Sequence, residues 1–193
     1  LRPIFHVKRI VLMRVLGIDP GSIICGYGVV EKEGRDLVLV EYGVVEAAKH
    51  HKSLPLRLKT IFERIEQVIE RSLPDELAIE SLFHAKNVAS LIKLSHARSA
   101  AILPCILREI PVIEYSPREV KRSVTGSGNA SKEQVQYMVR TILKIEETPE
   151  FFDATDALAV AIGHTYKVHS PQTSARSWKA FIEQHPEKIV KRV

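Results

Sequence analysis

The order of its apolar segments is the feature that most constrains how this chain can fold. Residues 14–46 contain three strand-like apolar runs, which turn signals at residues 20–22 and 34–36 separate, so we predict three consecutive antiparallel strands. An amphipathic pattern with helical spacing then fills residues 54–72, and a short apolar run at residues 77–80 follows it. Because a helix between two parallel strands of one sheet makes a right-handed crossover, the chain is predicted to form a mixed sheet.

The remaining segments add one strand and four helices to this pattern. We predict a helix bent or broken at Pro104, then a strand, then three helices, the second of which starts at a capping box formed by Ser131 and Gln134. Their predicted bounds are about 87–108, 112–115, 117–124, 131–144 and 153–167. The predicted fold class is therefore α/β, with a mixed five-stranded sheet and helices on both faces.

Length and composition fit one domain of this kind. The chain has 193 residues, of which 45% are hydrophobic, and no apolar window is long enough to span a membrane. Its two cysteines, Cys25 and Cys105, are too few and too far apart for a disulfide framework or a cysteine zinc site. We expect a cytoplasmic protein with an N-terminal extension at residues 1–12, a folded domain at 13–167 and a basic C-terminal tail at 168–193.

The charge distribution indicates a polyanionic partner. The net charge is +5, and residues 86–144 hold ten Lys or Arg side chains against four acids. The next segment, residues 145–156, holds five acids and no basic residue. An acidic spot beside a basic belt is typical of an enzyme that acts on nucleic acid, although solvated surface would give the same counts.

Four acidic residues stand where such a spot can form. Asp19 ends the first predicted strand, Glu80 ends the fourth, and Asp153 and Asp156 lie three residues apart at the start of the last helix. Each has an ordinary alternative role, because aspartate often begins a tight turn and acids favour helix N-termini. If the first and fourth strands are parallel neighbours, Asp19 and Glu80 lie side by side at the carboxyl edge of the sheet, where the sites of open α/β sheets collect. We expect the last helix to bring both aspartates to the same edge.

Carboxylates gathered in this way require a cation. Two of them about 5 Å apart repel by about 3 kcal/mol at an effective dielectric constant near 20. Since the sequence offers carboxylate oxygens here and no clustered histidine or cysteine, the fitting ion is Mg²⁺, or Mn²⁺ in its place. Two such ions about 4 Å apart stabilise both the attacking and the leaving oxygen of a phosphoryl displacement, which predicts a nuclease.

Several of these segments together resemble the RuvC family, the bacterial Holliday junction resolvases. The resemblance is carried by LGIDPGS at residues 16–22 with GYGV at 26–29, AIESLF at 78–83 with AKN at 85–87, VK at 120–121, QVQYMVR at 134–140 and DATDALA at 153–159. It runs from Met13 to about Lys167 and implies that residues 13–167 form an RNase H-like nuclease domain. It also implies a homodimer, paired metal-dependent nicks in opposed strands of a four-way DNA junction, and contact with the RuvA–RuvB branch-migration complex.

The resemblance implies roles for individual residues as well. The family's catalytic, metal-binding acids, which would hold two Mg²⁺ ions, are matched by Asp19, Glu80, Asp153 and Asp156. Its catalytic basic residues near the scissile phosphate are matched by Lys121 and Lys132. DNA contacts are implied for Phe83, an aromatic residue that meets an unstacked base, and for Lys86 close to it in the sequence. They are also implied for Arg122, Ser127 and Lys132, in and around the loop 126–130. A core position for Phe83 and a solvated position for either lysine are the alternatives.

Other functions remain open at this point. Sugar kinases and actin-like ATPases begin with a similar strand and turn, but they need two such lobes to enclose a nucleotide, and this chain supplies one. Short RuvC-like proteins that process RNA or single strands share the first motif, and a junction-binding protein without activity would show the same basic belt. We further expect Cys25 to be packed within its strand and His164 to lie on the surface of the last helix.

Overall fold

A five-stranded sheet forms the centre of the molecule, which the computed structural model describes over residues 12–34, 36–82 and 87–168. The strands are β1 (Leu12–Asp19), β2 (Cys25–Glu33), β3 (Asp36–Val45), β4 (Glu76–Glu80) and β5 (Val112–Tyr115). Across the sheet their order is β3-β2-β1-β4-β5. β2 is antiparallel to β1 and β3, whereas β4 is parallel to β1 and β5. The predicted mixed sheet is confirmed, including the parallel pairing of the first and fourth strands.

Helices cover both faces of this sheet. They are α1 (Ala47–His50), α2 (Leu54–Ser72), α3 (Val88–Ile106), α4 (Pro117–Thr125), α5 (Lys132–Leu143) and α6 (Phe152–Val168). α2 and α3 pack on one face, in a buried apolar cluster that contains Leu16 and Ile61. α4, α5 and α6 pack on the other face, in a cluster that contains Val15 and Leu158. The predicted α/β class with helices on both faces is therefore confirmed.

The two faces follow from the alternation of side chains along the central strand β1. Leu16 and Ile18 belong to the cluster under α2 and α3, whereas Val15 belongs to the α6 cluster and Gly17 contacts α6. All four residues are buried. Each fully buried Leu or Ile side chain contributes about 1.5–3 kcal/mol, so a strand packed on both sides anchors the whole domain.

Three features of the helices differ from the prediction, and each has a local cause. The sequence pattern does not predict α1, because one helical turn is too short to show a periodicity. α3 continues through Pro104 and ends at Ile106, since a proline so close to the end costs the helix few hydrogen bonds. α4 begins with a capping box that was not predicted, in which the Ser116 hydroxyl accepts from the Glu119 N–H.

No helix in the described part of the chain is both long and apolar enough to cross a membrane. Apart from Leu12 and Val168, the predicted N-terminal extension and C-terminal tail fall outside the described residues. Cys25 is completely buried in β2, as predicted.

Candidate active site

Two acidic side chains end neighbouring parallel strands. β1 and β4 pair in parallel register up to the residues just before Asp19 and Glu80, so these two acids lie at the same edge of the sheet. Because side chains alternate along a strand, Asp19 lies on the side of Gly17 and Glu80 on the side of Ala78, which is the face that α6 covers. Both acids are half-buried.

α6 brings two more acids to this edge because it lies directly on the backbone of the sheet. An added Cβ at Gly17 would stand 2.0 Å from the Ala157 carbonyl oxygen, and one at Gly26 would stand 2.0 Å from that of Asp153. Glycine is required at both positions, since no side chain fits between helix and strand. Asp153 and Asp156 lie three residues apart near the start of α6 and therefore share one side of the helix, beside the strand ends.

These acids face a cleft of about 280 Å³ between the sheet edge and helices α4, α5 and α6. Three acids and two lysines line it together with apolar side chains: Asp19, Glu80, Asp156, Lys121, Lys132, Pro117, Val120, Val135 and Ala159. Asp153 is close enough that its negative charge acts on Asp19. The structure thus brings together acids from three separate segments of the chain and the two predicted lysines.

Burial and mutual repulsion keep protons on two of these acids. Burial, reinforced by the charges of Asp156, Glu80 and Asp153, raises the pKa of Asp19 to about 8. Burial and the charge of Asp156 likewise raise the pKa of Glu80 to about 7. Carboxyl groups perturbed this strongly in a cleft are typical of functional sites, and here they indicate a place where added positive charge is stabilised.

The two lysines of the cleft are held in different ways. Lys132 Nζ donates a 2.8 Å hydrogen bond to Asp156 Oδ2 and so forms an ion pair with one of the acids. Lys121 Nζ instead donates to the backbone carbonyl oxygen of Ala130, at 2.8 Å. Both ammonium groups oppose the negative charge around Glu80, but only Lys132 bonds directly to a carboxylate.

The donor set suits a hard divalent cation. All four candidate ligands are carboxylates, which are the ligands that Mg²⁺ and Mn²⁺ prefer. Across residues 12–34, 36–82 and 87–168, however, no three acidic, histidine or cysteine side chains have the mutual spacing of an assembled metal site. The acids share one cleft, and one of them, Asp156, is paired with Lys132. The metal site predicted from the sequence stays a prediction.

The residues expected to contact DNA lie in different surroundings. Arg122 is exposed and lines a groove of about 410 Å³ with Tyr115 and Lys167, and Val120 lines both this groove and the cleft of the acids. Ser127 is exposed in the loop between α4 and α5. Phe83 and Lys86 lie outside the described residues, so their predicted contacts stay predictions.

His164 is buried, and its predicted surface position is wrong. A 2.7 Å hydrogen bond joins its Nδ1 to the Tyr115 hydroxyl, and a 2.5 Å contact joins its Nε2 to Glu76 Oε2. Through these bonds His164 links α6 to β4 and β5, the strands that run beside the acids. The helical spacing of His164 from the buried Ala157 was the signal that places it on the inner side of α6.

Comparison with known proteins points to a single family. The family model described as crossover junction endodeoxyribonuclease RuvC matches residues 15–164. A protein of that name from Cytophaga hutchinsonii is 43% identical over 175 residues, which cover 91% of this chain and 87% of the relative. Another from Edwardsiella ictaluri is 47% identical over 152 residues, which cover 79% and 86%. The solved structure of T. thermophilus RuvC in complex with Holliday junction substrate matches with a TM-score of 0.76 and 33% identity, covering 81% of this chain and 94% of that one.

Proposed function

The chain belongs to the RuvC family of crossover junction endodeoxyribonucleases, and on that premise we propose that it resolves four-way (Holliday) DNA junctions. The reaction is hydrolysis of phosphodiester bonds by paired nicks in opposed strands, during homologous recombination and DNA repair. The relative solved with Holliday junction substrate shares the fold of this chain, with a TM-score of 0.76. That shared architecture is the RNase H-like fold that the family resemblance implies.

The observation that carries the proposal is the cleft in which strand-end acids, helix acids and lysines meet. Asp19 and Glu80 come from two strands, Asp156 from α6, and Lys121 and Lys132 from the two helices opposite. An acidic centre with a basic border suits a phosphodiester substrate. The lysine side chains neutralise the charge of the phosphate, while the acids can hold the positive charge that acts in catalysis. Burial and neighbouring negative charge give two of these acids strongly raised pKa values, as is typical of functional sites.

We further propose that Asp19, Glu80, Asp153 and Asp156 hold the metal on which this nuclease family depends, as two Mg²⁺ ions that Mn²⁺ can replace. When bound, such ions supply Lewis-acid activation of water and stabilise negative charge at the phosphate. The chain itself holds the four carboxyl groups at one edge of the sheet. Positive charge in the cleft lowers the pKa values of Asp19 and Glu80 and so favours their ionised, ligating form.

The lysines and the exposed polar residues would contact the DNA. Lys121 is fixed by its hydrogen bond to Ala130, and a fixed cation stabilises developing charge without reorganising during the reaction. Arg122 and Ser127 are exposed on α4 and on the loop that follows it, where they are free to meet the phosphate backbone. The base contact proposed for Phe83 and the DNA contact of Lys86 rest on the family motif alone.

A synthetic four-way junction and a linear duplex of the same sequence test the proposed activity. With Mg²⁺ or Mn²⁺ we expect symmetric nicks in the junction and no detectable cutting of the duplex, and excess EDTA should stop the reaction. Denaturing gels of end-labelled strands measure both products. Tight junction binding without cutting in either metal would contradict the proposal and leave a junction-binding protein.

We propose that the enzyme is a homodimer and that α3 forms its interface. One side of α3 packs against the domain through Ala97, Ala101 and Cys105. The opposite side presents exposed large apolar residues at helical spacing, together with two small serines: Val88, Ile92, Ser95, Ser99, Leu103 and Ile106. An apolar helical stripe exposed on a folded domain indicates a surface that a second protein covers, and two nicks in opposed strands require two active sites.

Ile92→Glu is expected to convert this dimer to a monomer. Ile92 is 50% exposed in the centre of the stripe, and a charge there is buried without a partner on association, which weakens dimerisation by about 30-fold or more. Sedimentation equilibrium distinguishes the 21.8 kDa chain from twice that mass. The matched control is Val38→Glu on β3, the strand at the opposite edge of the sheet from β5, where a valine is 42% exposed, and it should remain dimeric. A wild-type monomer at micromolar concentration, or an unchanged mass for Ile92→Glu, contradicts the assigned interface.

Family membership also supports three broader proposals. Residues 13–167 would form the nuclease domain, which agrees with the family match over 15–164, with an extension at 1–12 and a basic tail at 168–193. The enzyme would act on junctions delivered by the RuvA–RuvB branch-migration complex. Because the relatives of this DNA-acting family include bacterial proteins, its compartment would be the cytoplasm.

A further inference from the structure

We propose that Lys132 fills part of the metal site in the metal-free enzyme, and that Asp156 must exchange Lys132 for the divalent cation when the site is loaded. The lysine released in this way becomes available to the phosphate of the DNA. The inference rests on the proposed function, because it assigns an order of events to the same cleft.

The ion pair itself is the first observation. Lys132 Nζ lies 2.8 Å from Asp156 Oδ2, within the bonding range of a charge-assisted hydrogen bond. Asp19, Glu80 and Asp153 form no ion pair within the described ranges, so Asp156 is the acid of this set whose oxygen already holds a cation. A carboxylate oxygen that binds an ammonium group has to give up or share that contact to bind a metal ion.

The crowding of acids around one cleft is the second observation. Asp19, Glu80 and Asp156 line the same cleft, and the charges of Asp156, Glu80 and Asp153 act on Asp19. A divalent cation held by these acids would therefore meet Asp156 while Lys132 is bonded to it.

The position of Lys132 in the chain makes the exchange possible without moving the backbone. Lys132 is the first residue of α5, and the capping box of Ser131 and Gln134 fixes the start of that helix. Its side chain is 60% exposed, whereas that of Asp156 is 19% exposed, so the ammonium group approaches from the open side of the cleft. The four methylene groups of a lysine side chain make it flexible. The released ammonium group can therefore stay at the open side of the cleft, where it is available to the DNA phosphate.

The exchange predicts that substitutions at one position change metal affinity in opposite directions. Lys132→Gln removes the competing cation and should bind Mn²⁺ about tenfold more tightly than wild type. Lys132→Arg keeps the charge and can make a bidentate pair of hydrogen bonds to the Asp156 carboxylate. This variant should therefore bind Mn²⁺ about threefold more weakly than wild type. If the positive charge of Lys132 acted only at a distance, Lys132→Arg would bind Mn²⁺ with the affinity of wild type.

Lys121→Gln is the matched control. It removes the same charge from the same cleft, but Lys121 bonds to the Ala130 carbonyl and not to a carboxylate. General relief of charge repulsion should therefore raise Mn²⁺ affinity by about twofold or less in this variant. Thermal melts of each metal-free protein establish that the variants are folded before their affinities are compared.

The experiment is a titration of the full chain with Mn²⁺ at pH 7.5 without DNA, followed by the EPR signal of free Mn²⁺. The expected order of affinity is Lys132→Gln, then Lys121→Gln, then wild type, then Lys132→Arg. Equal affinities for the Lys132 variants and wild type, or equal gains for the two glutamine variants, would overturn the exchange while leaving the nuclease proposal intact. Wild-type protein that binds no Mn²⁺ at millimolar concentration, with or without junction DNA, would instead contradict the proposed function.

Discussion

Asp19→Asn is expected to reduce junction cleavage by at least about three orders of magnitude while leaving junction binding intact. Asp19 ends the central strand β1, and the other acids of the cleft surround it. An amide has nearly the shape of a carboxyl group but no negative charge, so the variant keeps the fold and loses a proposed metal ligand. Effects of this size are typical when a group that stabilises charge in the reaction is removed. Glu80→Gln should behave in the same way, because Glu80 occupies the equivalent position on β4.

The measurement combines single-turnover cleavage of a labelled four-way junction with a gel-shift titration in Ca²⁺ or EDTA. Asp36→Asn provides the matched control, since Asp36 is an exposed aspartate at the start of β3, at the far edge of the sheet. It should cleave at the wild-type rate. Undiminished cleavage by Asp19→Asn would remove Asp19 from the catalytic site, and a matching loss of junction binding would mean that the acid acts on binding and not on the reaction.

The second large effect concerns the stability of the metal-free protein, which we expect to fall as the pH rises from about 5 to 8. The folded protein holds protons on Asp19 and Glu80, whose pKa values are raised to about 8 and about 7, whereas the unfolded chain releases them near the ordinary values of 3.8 and 4.5. Between these limits the unfolded state binds fewer protons, so the free energy of unfolding decreases with pH. The stabilisation by these groups is complete below about pH 4 and is lost as pH passes through the folded-state values.

Urea unfolding in EDTA between pH 5 and 8.5 measures this loss, and Asp19→Asn isolates the part that belongs to Asp19. We expect the wild type to lose on the order of 1 kcal/mol per pH unit more than the variant, and the variant to be more stable than wild type at pH 8. Saturating Mg²⁺ should cancel most of the difference by stabilising the ionised acids of the wild type. Parallel pH profiles for the two metal-free proteins would show that Asp19 is not held protonated in the fold.

The sequence predicts those parts of the site that depend on regular secondary structure. Apolar runs identify β1 and β4, the helix between them implies a parallel crossover, and that topology places Asp19 and Glu80 at one edge of the sheet. Their separation by about 60 residues of chain is no obstacle, because the register of parallel strands is a consequence of packing and not of sequence distance. The spacing of Asp153 and Asp156 likewise follows from the helical repeat alone.

The parts that the sequence does not predict depend on side-chain contacts between remote elements. Nothing in the pattern around Lys132 indicates that its ammonium group bonds to Asp156 rather than to solvent. That pairing depends on the packing of α5 against α6. The burial of His164 depends in the same way on polar partners from β4 and β5, Glu76 and Tyr115, that satisfy both ring nitrogens inside the core. The helical spacing of His164 from Ala157 indicates the inner side of α6, but it does not indicate the polar partners that let the ring be buried there.

The direct seating of α6 on Gly17 and Gly26 determines how the site responds to change elsewhere in the protein. Since carbonyl oxygens of the helix touch strand backbone with no intervening side chain, the gap between the strand acids and the helix acids is a property of main-chain geometry. Repacking of the apolar cluster under α2 and α3, on the other face of the sheet, is therefore expected to shift the melting temperature while this gap stays constant. Replacing either glycine, in contrast, is expected to change both the stability of the fold and the distance between the strand acids and the helix acids.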